Sequence, residues 1–186
     1  MNFAEYNVKD ANLEEILLAL KSLDTVEAVA LGGSRSTGAS DENSDYDIYI
    51  YCAEISTAET RENLLGKYCS IAEFGNHYWE SEDNTVMNDG IPVDIIYREV
   101  DRFGRYIDTV IKGGKAFNGY TTAFWHNIKN SKVLFDKTGS FTKFRDMAQI
   151  DFPENLRSAI IKNNRNLLNG KLPSYDRQIK KAQERG

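Results

Sequence analysis

The 186-residue chain holds two cysteines, two histidines, two tryptophans and three prolines, and each scarcity removes a class of protein. Cys52 and Cys69 are too few and too badly spaced for a disulfide framework or a zinc site, which points to a reducing compartment. His77 and His126 lie 49 residues apart with no metal-ligand spacing around either, so a structural or exposed role is expected for both. No apolar run approaches the ~20 residues that span a bilayer, and residues 1–10 contain no apolar leader segment. A soluble cytoplasmic protein without a membrane partner is therefore expected. Basic residues are in the minority as well: 23 Lys plus Arg against 28 Asp plus Glu leave a net charge of −5. Such a surface argues against a duplex nucleic acid held through its phosphates, but not against a nucleotide whose charge a metal screens.

What is present reads as an ordinary folded chain, with 41% hydrophobic and 27% charged residues and a length slightly above the ~150 residues of one common domain. Asn12 is placed to cap a helix, with Glu15 three residues on and Leu13, Ile16, Leu17 and Leu20 along one face to an end near Leu23. Residues 26–31 form an apolar strand running into Gly32-Gly33. Residues 46–51 form a strand with two different faces, Ile48 and Ile50 on one, Asp47 and Tyr49 on the other. A helix is expected over 57–68. The pieces 85–87 and 91–97 flank Asn88-Asp89-Gly90, a hairpin turn signal. Residues 100–112 resume a helical pattern that Gly113-Gly114 stops, and 131–135 suit one more short strand. From Phe141 onward the pattern is helical, with Pro153 in the first turn of a segment to Leu168 and Ser174 opening another. The charged stretch 178–185 fits either a solvated tail or a helix cut short. Tyr78, Trp79, Phe124 and Trp125 suit core or interface positions, with Trp125 also a candidate to line a pocket.

The chemistry concentrates in two places. Gly32-Gly33-Ser34-Arg35 after a strand allows a helical turn to bring backbone N–H groups and a hydroxyl close to a polyphosphate. Two glycines at a strand end are by themselves most often a plain turn. Asp45 and Asp47, at i and i+2 of a strand, point to one face and repel each other unless a cation sits between them. Mg²⁺ suits carboxylate, water and phosphate oxygens, and two such ions ~3.5–4 Å apart can activate an attacking oxygen and stabilise a leaving one. Asp94, within the apolar strand 91–97, is a third acid that is costly to bury alone. If its strand lies beside that of Asp45 and Asp47, three acids converge after a phosphate-cradling turn.

These residues resemble the nucleotidyltransferase superfamily with the DNA polymerase beta-like catalytic core, in particular the branch of aminoglycoside and lincosamide nucleotidyltransferases and minimal nucleotidyltransferase antitoxins. Gly33-Ser34 is similar to the family's Gly-Ser signature, Asp45 and Asp47 to its paired acids eleven residues after the serine, and Asp94 to its third acid. The resemblance covers roughly residues 10–100. It implies an α/β (α+β) fold: a small mixed sheet with helices mainly on one face, a catalytic core over 1–139 and a short helical annex over 140–186. It implies that Gly32, Gly33 and Ser34 hold the β and γ phosphates with support from Arg35 or Ser44. Asp45, Asp47 and Asp94 would bind two Mg²⁺ or Mn²⁺ ions, with Asp94 as ligand or as general base. The implied reaction moves a nucleoside monophosphate, AMP in the first instance, from a nucleoside triphosphate to a hydroxyl of a small molecule or protein and releases pyrophosphate. An antitoxin-like module acting on a partner protein and a non-catalytic nucleotide-binding domain are the alternatives. Because only 153–186 remains to wall the acceptor side, closure of the cleft by a second copy in a homodimer or by residues beyond Gly186 is expected, with self-association or an exposed apolar stripe of Leu156, Ile160 and Leu167 as its sign.

Overall fold

A computed structural model describes residues 10–41, 44–117, 121–169 and 174–185. Residues 1–9, within the stretch where no apolar leader is expected, and Gly186 at the end of the charged stretch lie outside them. In chain order the elements are α1 (Ala11–Lys21), β1 (Val26–Leu31), α2 (Gly33–Thr37), β2 (Tyr46–Cys52), α3 (Ala58–Leu65), β3 (Cys69–Asn76), β4 (Ser81–Met87), β5 (Pro92–Glu99), α4 (Val100–Ile107), α5 (Ala123–Asn130), β6 (Lys132–Asp136), α6 (Ser140–Ala148), α7 (Glu154–Asn169) and α8 (Tyr175–Arg185). The six strands form one mixed sheet in the order β3-β4-β5-β2-β1-β6, with β2 and β5 parallel and the other pairs antiparallel. Hence the C-terminal end of β1 lies beside the starts of β2 and β5, at one end of the strands.

The apolar face read for α1 is buried as expected, Leu13, Ile16, Leu17 and Leu20 being closed to solvent. Its cap is Asp10 rather than Asn12, because a carboxylate at the helix start accepts from Asn12 N and Leu13 N at 3.0 and 3.2 Å and opposes the positive end of the helix dipole. Asn12 sits inside the first turn and donates to Asp89 at 2.6 Å.

The sheet is covered on both faces rather than mainly on one. The first face, with Ile48, Ile50, Val93 and Ile95, packs against α1 and Leu65 of α3. The second, with Tyr49, Tyr51 and Ile96, packs against Phe103 and Ile107 of α4, Phe124, Trp125 and Ile128 of α5, Phe141 and Phe144 of α6 and Leu156 of α7. The physical reason lies in β1 and β2, which are apolar at nearly every position, the pattern of strands buried on both sides. Trp125 is therefore a core residue whose indole N–H donates to Ala148 O at 2.8 Å, while Tyr78 and Trp79 are exposed. The stripe of Leu156, Ile160 and Leu167 is likewise not the exposed face expected of it. Leu156 is fully buried and Ile160 packs on the second cluster, since α7 docks its first turns there.

Two buried arginines pin the sheet to its surroundings. Arg61 of α3 grips Asp83 of β4 through two hydrogen bonds of 2.7 and 2.9 Å, and Asp83 also accepts from Gly75 N at 2.8 Å. Arg98 of β5 pairs with Glu80 at 2.7 Å, donates to the Tyr51 hydroxyl at 3.1 Å and lies 4.5 Å from the ring centres of Tyr49 and Phe103. Among the described residues no helix is long and apolar enough to cross a membrane, and both cysteines are free thiols.

Candidate active site

The site forms where β1 gives way to α2. Gly32 N donates to Asp47 O at 2.8 Å, which joins the turn to β2. A Cβ on Gly32 would fall 2.4 Å from Tyr49 Cε2, and one on Gly33 only 1.7 Å from Asp47 Oδ2. Gly33 also has φ +59°, in the left-handed region that residues with a Cβ avoid. Both glycines are thus required by close approach, and the approach is to the strand that carries Asp47. Ser34 follows half-buried, its hydroxyl without a hydrogen-bond partner among the described residues.

Asp47 and Asp94 face each other in register across the parallel pair β2–β5. Asp45 stands exposed just before β2. Burial first, then the charges of Asp45 and Asp94, push the Asp47 carboxyl from 3.8 up to about 6. Asp94 accepts a hydrogen bond from Asn84 Nδ2 at 2.9 Å. Among the described residues no group of three or more His, Cys, Asp or Glu side chains is placed to hold a metal ion: the structure brings Asp47 and Asp94 together in register, while Asp45, expected on the strand with Asp47, stands before it. The donors of these acids are all carboxylate oxygens, the set that hard ions such as Mg²⁺ and Mn²⁺ take in preference to zinc. Burial, and after it the charges of Asp45 and Asp94, disfavour the ionised Asp47 carboxylate, and a cation beside it would offset both, so the carboxylates fit the ions expected from the sequence.

Arg35 and Ser44 hold the loop before the acids. Arg35 Nε donates to Ser44 O and Asp45 O at 2.9 and 3.0 Å, and its guanidinium lies 4.0 Å from the centre of the Tyr46 ring. The Ser44 hydroxyl donates to Asp41 Oδ1 at 2.8 Å and accepts from Asp41 N at 3.0 Å. In this structure both side chains fix the path that delivers Asp45.

A wall that the sequence reading did not assign comes from α5. Gly33, Ser34, Ser36 and Thr37 line a cavity of about 200 Å³ whose other side is His126, Asn127 and Asn130. Asn127 Nδ2 donates to the Tyr49 hydroxyl at 2.8 Å, so the wall is tied to β2 two residues after Asp47. Asn130 Nδ2 reaches His126 Nδ1 at 3.2 Å, and Lys132 Nζ donates to Arg35 O at 3.3 Å. The signal for α5 was present in the spacing of Phe124, Trp125 and Ile128, one apolar face that leaves 126, 127 and 130 on the other.

The family model for the nucleotidyltransferase domain matches residues 13–117. Among solved structures the chain is similar to that of a toxin-antitoxin with AMP-PNP, at 15% identity over 73% of this chain and 82% of that one, with a TM-score of 0.37. It is also similar to the Cid1 poly(U) polymerase bound to Mg and 3'-dATP, at 16% identity over 56% of this chain and 36% of that one, with a TM-score of 0.40. The chain thus spans little more than a third of the polymerase's length. No curated protein matches the chain.

Proposed function

The chain belongs to the nucleotidyltransferase domain family, and from that premise we propose that it transfers a nucleoside monophosphate, AMP in the first instance, from a nucleoside triphosphate to a hydroxyl of a small molecule or protein, releasing pyrophosphate. The observation that carries this reading is the pairing of Asp47 with Asp94 in register, directly against the Gly33 turn.

In this reading the phosphates lie in the cavity between α2 and α5, with backbone N–H groups of the turn and the Ser34 hydroxyl as donors. The cavity, about 200 Å³, is the space in which the departing pyrophosphate would sit. Asp45, Asp47 and Asp94 would hold Mg²⁺ or Mn²⁺, which when bound neutralises phosphate charge and favours an attacking alkoxide. Asp94, the acid farthest along the sheet from the turn, takes the side by which the acceptor enters, where its carboxylate can also accept the proton of the attacking hydroxyl. Fixed donors around the phosphates supply charge stabilisation without reorganisation during the reaction. Residues 140–186 serve as the annex to the core over 1–139. The free thiols support a cytoplasmic setting.

The test is incubation with Mg²⁺, labelled nucleoside triphosphates and either a panel of hydroxylated small molecules or a cell lysate, followed by mass spectrometry for a nucleotide adduct. Small-molecule adducts favour the resistance-type activity and protein adducts the antitoxin-like one. Metal-dependent triphosphate binding with no adduct in either arm favours a non-catalytic binding domain and overturns the transferase reading.

A further inference from the structure

We propose that Asn84 and Asn76 are positioning residues that hold Asp94 through a directional hydrogen-bond relay running inward from the sheet edge; the proposal rests on the reading of Asp94 as one of the acids of the site. The relay crosses three neighbouring strands. Asn84 of β4 stands in register with Asp94 of β5, and Asn76 lies on β3, at one edge of the sheet. Asn84 Nδ2 donates to Asp94 Oδ1 at 2.9 Å, and Asn76 Nδ2 donates to Asn84 Oδ1 at 2.6 Å. Asn76 Nδ2 also lies 3.3 Å from Glu73 Oε2.

The polarity of this chain follows from amide chemistry. A primary amide has one acceptor end and one donor end. With the acceptor end of Asn84 filled by an N–H of Asn76, the donor end faces Asp94 and cannot be exchanged for the carbonyl by a simple flip. One carboxylate oxygen of Asp94 is thereby fixed, and the other is left for a ligand. Groups behind a ligating carboxylate set its orientation, and their loss typically lowers metal affinity about 10–100-fold.

The experiment measures Mn²⁺ binding to the full chain in the presence of a non-hydrolysable ATP analogue, from the electron paramagnetic resonance signal of free Mn²⁺. Thermal melts of the same samples confirm folding. Asn84→Ala should weaken Mn²⁺ binding by about 10–100-fold. Asn76→Asp should do nearly the same from a position that does not touch Asp94. The new carboxylate can only accept, so Asn84 must turn its N–H outward and present its oxygen to Asp94. This loss is expected although the added negative charge by itself draws cations closer. Asn76→Ala removes the anchor without reversing the relay and should lose less. A purely structural role orders the last two the other way, because Asp keeps the size of Asn. Parental binding in Asn76→Asp, or a larger loss in Asn76→Ala, overturns the relay alone. A parent protein that binds no Mn²⁺ with the nucleotide analogue overturns the metal reading of the acids and the relay with it. Should Asn84→Ala fail to fold, the two Asn76 variants, placed on an edge strand, still decide the matter.

Discussion

Replacing Asp47 with Asn should make the metal-free fold more stable at neutral pH, and the environment of the carboxyl sets the size of the gain. Its pKa is pushed from 3.8 to about 6, first by burial, then by Asp45 and Asp94. The folded chain therefore holds this proton more tightly than the unfolded chain. Below about pH 3.8 both states are protonated and the acid carries no penalty. As the pH rises toward 6 the unfolded chain releases its proton first, and stability falls; above about pH 6 the loss is complete. Slightly more than two powers of ten in proton affinity correspond to an upper bound of about 3 kcal/mol. Asp47 is only half-buried, and water screens the repulsion from its neighbours, so about 1–2 kcal/mol is the expected remainder. Asn has the same shape without the charge. At ~2–4 °C for each kcal/mol in a chain of this size, Asp47→Asn should melt about 2–8 °C above the parent at pH 7.5 and close to it at pH 4. Melts of both proteins in EDTA between pH 4 and 8 measure this directly. A difference that does not change with pH, or a variant that melts below the parent at pH 7.5, refutes the reasoning. With Mg²⁺ and nucleotide present the order should reverse, because only the parent gains the full stabilisation of a bound ligand.

Gly33→Ala should lose about 1–2 kcal/mol from the left-handed backbone alone, and more as Asp47 is driven from a Cβ that would lie 1.7 Å from its Oδ2. A lower melting temperature and weaker triphosphate binding in a titration are expected together; parental binding removes this turn from the site. Arg61→Met strands the fully buried Asp83 and should destabilise by about 3–5 kcal/mol in urea unfolding, whereas a loss below 1 kcal/mol would mean that Asp83 finds another partner or a proton. Asp10→Ala should remove about 1 kcal/mol as a lost helix cap, with Asp10→Asn close to the parent in the same assay, since its side-chain oxygen can still accept from Asn12 N and Leu13 N.

The legible parts of the chain were those where one local signal decides. Val26–Leu31 is apolar but for Glu27 and runs into Gly32-Gly33, and the strand has those bounds. The Asp89-Gly90 turn and the apolar spacing of α1 were similarly self-contained. The cap of α1 was misplaced because Asp10 and Asn12 are both good capping residues and only the path of the chain chooses between them. The facing of helices on both sides of the sheet depends on which apolar helices find which sheet face, a tertiary property that no window of sequence contains. Of the candidate acids, Asp47 and Asp94 were marked by alternation and by the cost of an acid in an apolar strand, whereas Asp45, expected on the strand with Asp47, stands before it. Asn84 and Asn127 carried no such mark, since an Asn on a strand or helix is chemically ordinary until its partner, Asp94 or the Tyr49 hydroxyl, is known.

The same alternation explains why the acids meet. Val93, Ile95 and Tyr97 of β5 face the first core cluster, and Ile96 faces the second. On β2, Ile48 and Ile50 share the first cluster, and Tyr49 and Tyr51 the second. A slip of one residue in β5 would send each of its side chains to the opposite face, putting Asp94 among the aliphatic groups of the first cluster and taking Ile95 out of it. The hydrophobic effect on these eight side chains thus enforces the Asp47–Asp94 register against the mutual repulsion of two carboxylates. The buried Arg98, pinned between Tyr49 and Phe103 four residues after Asp94 on the same strand face, works in the same direction, because a slip would leave its charge without Glu80. The repulsion among the acids is then held in place by the core, and a cation is the partner through which it can be released.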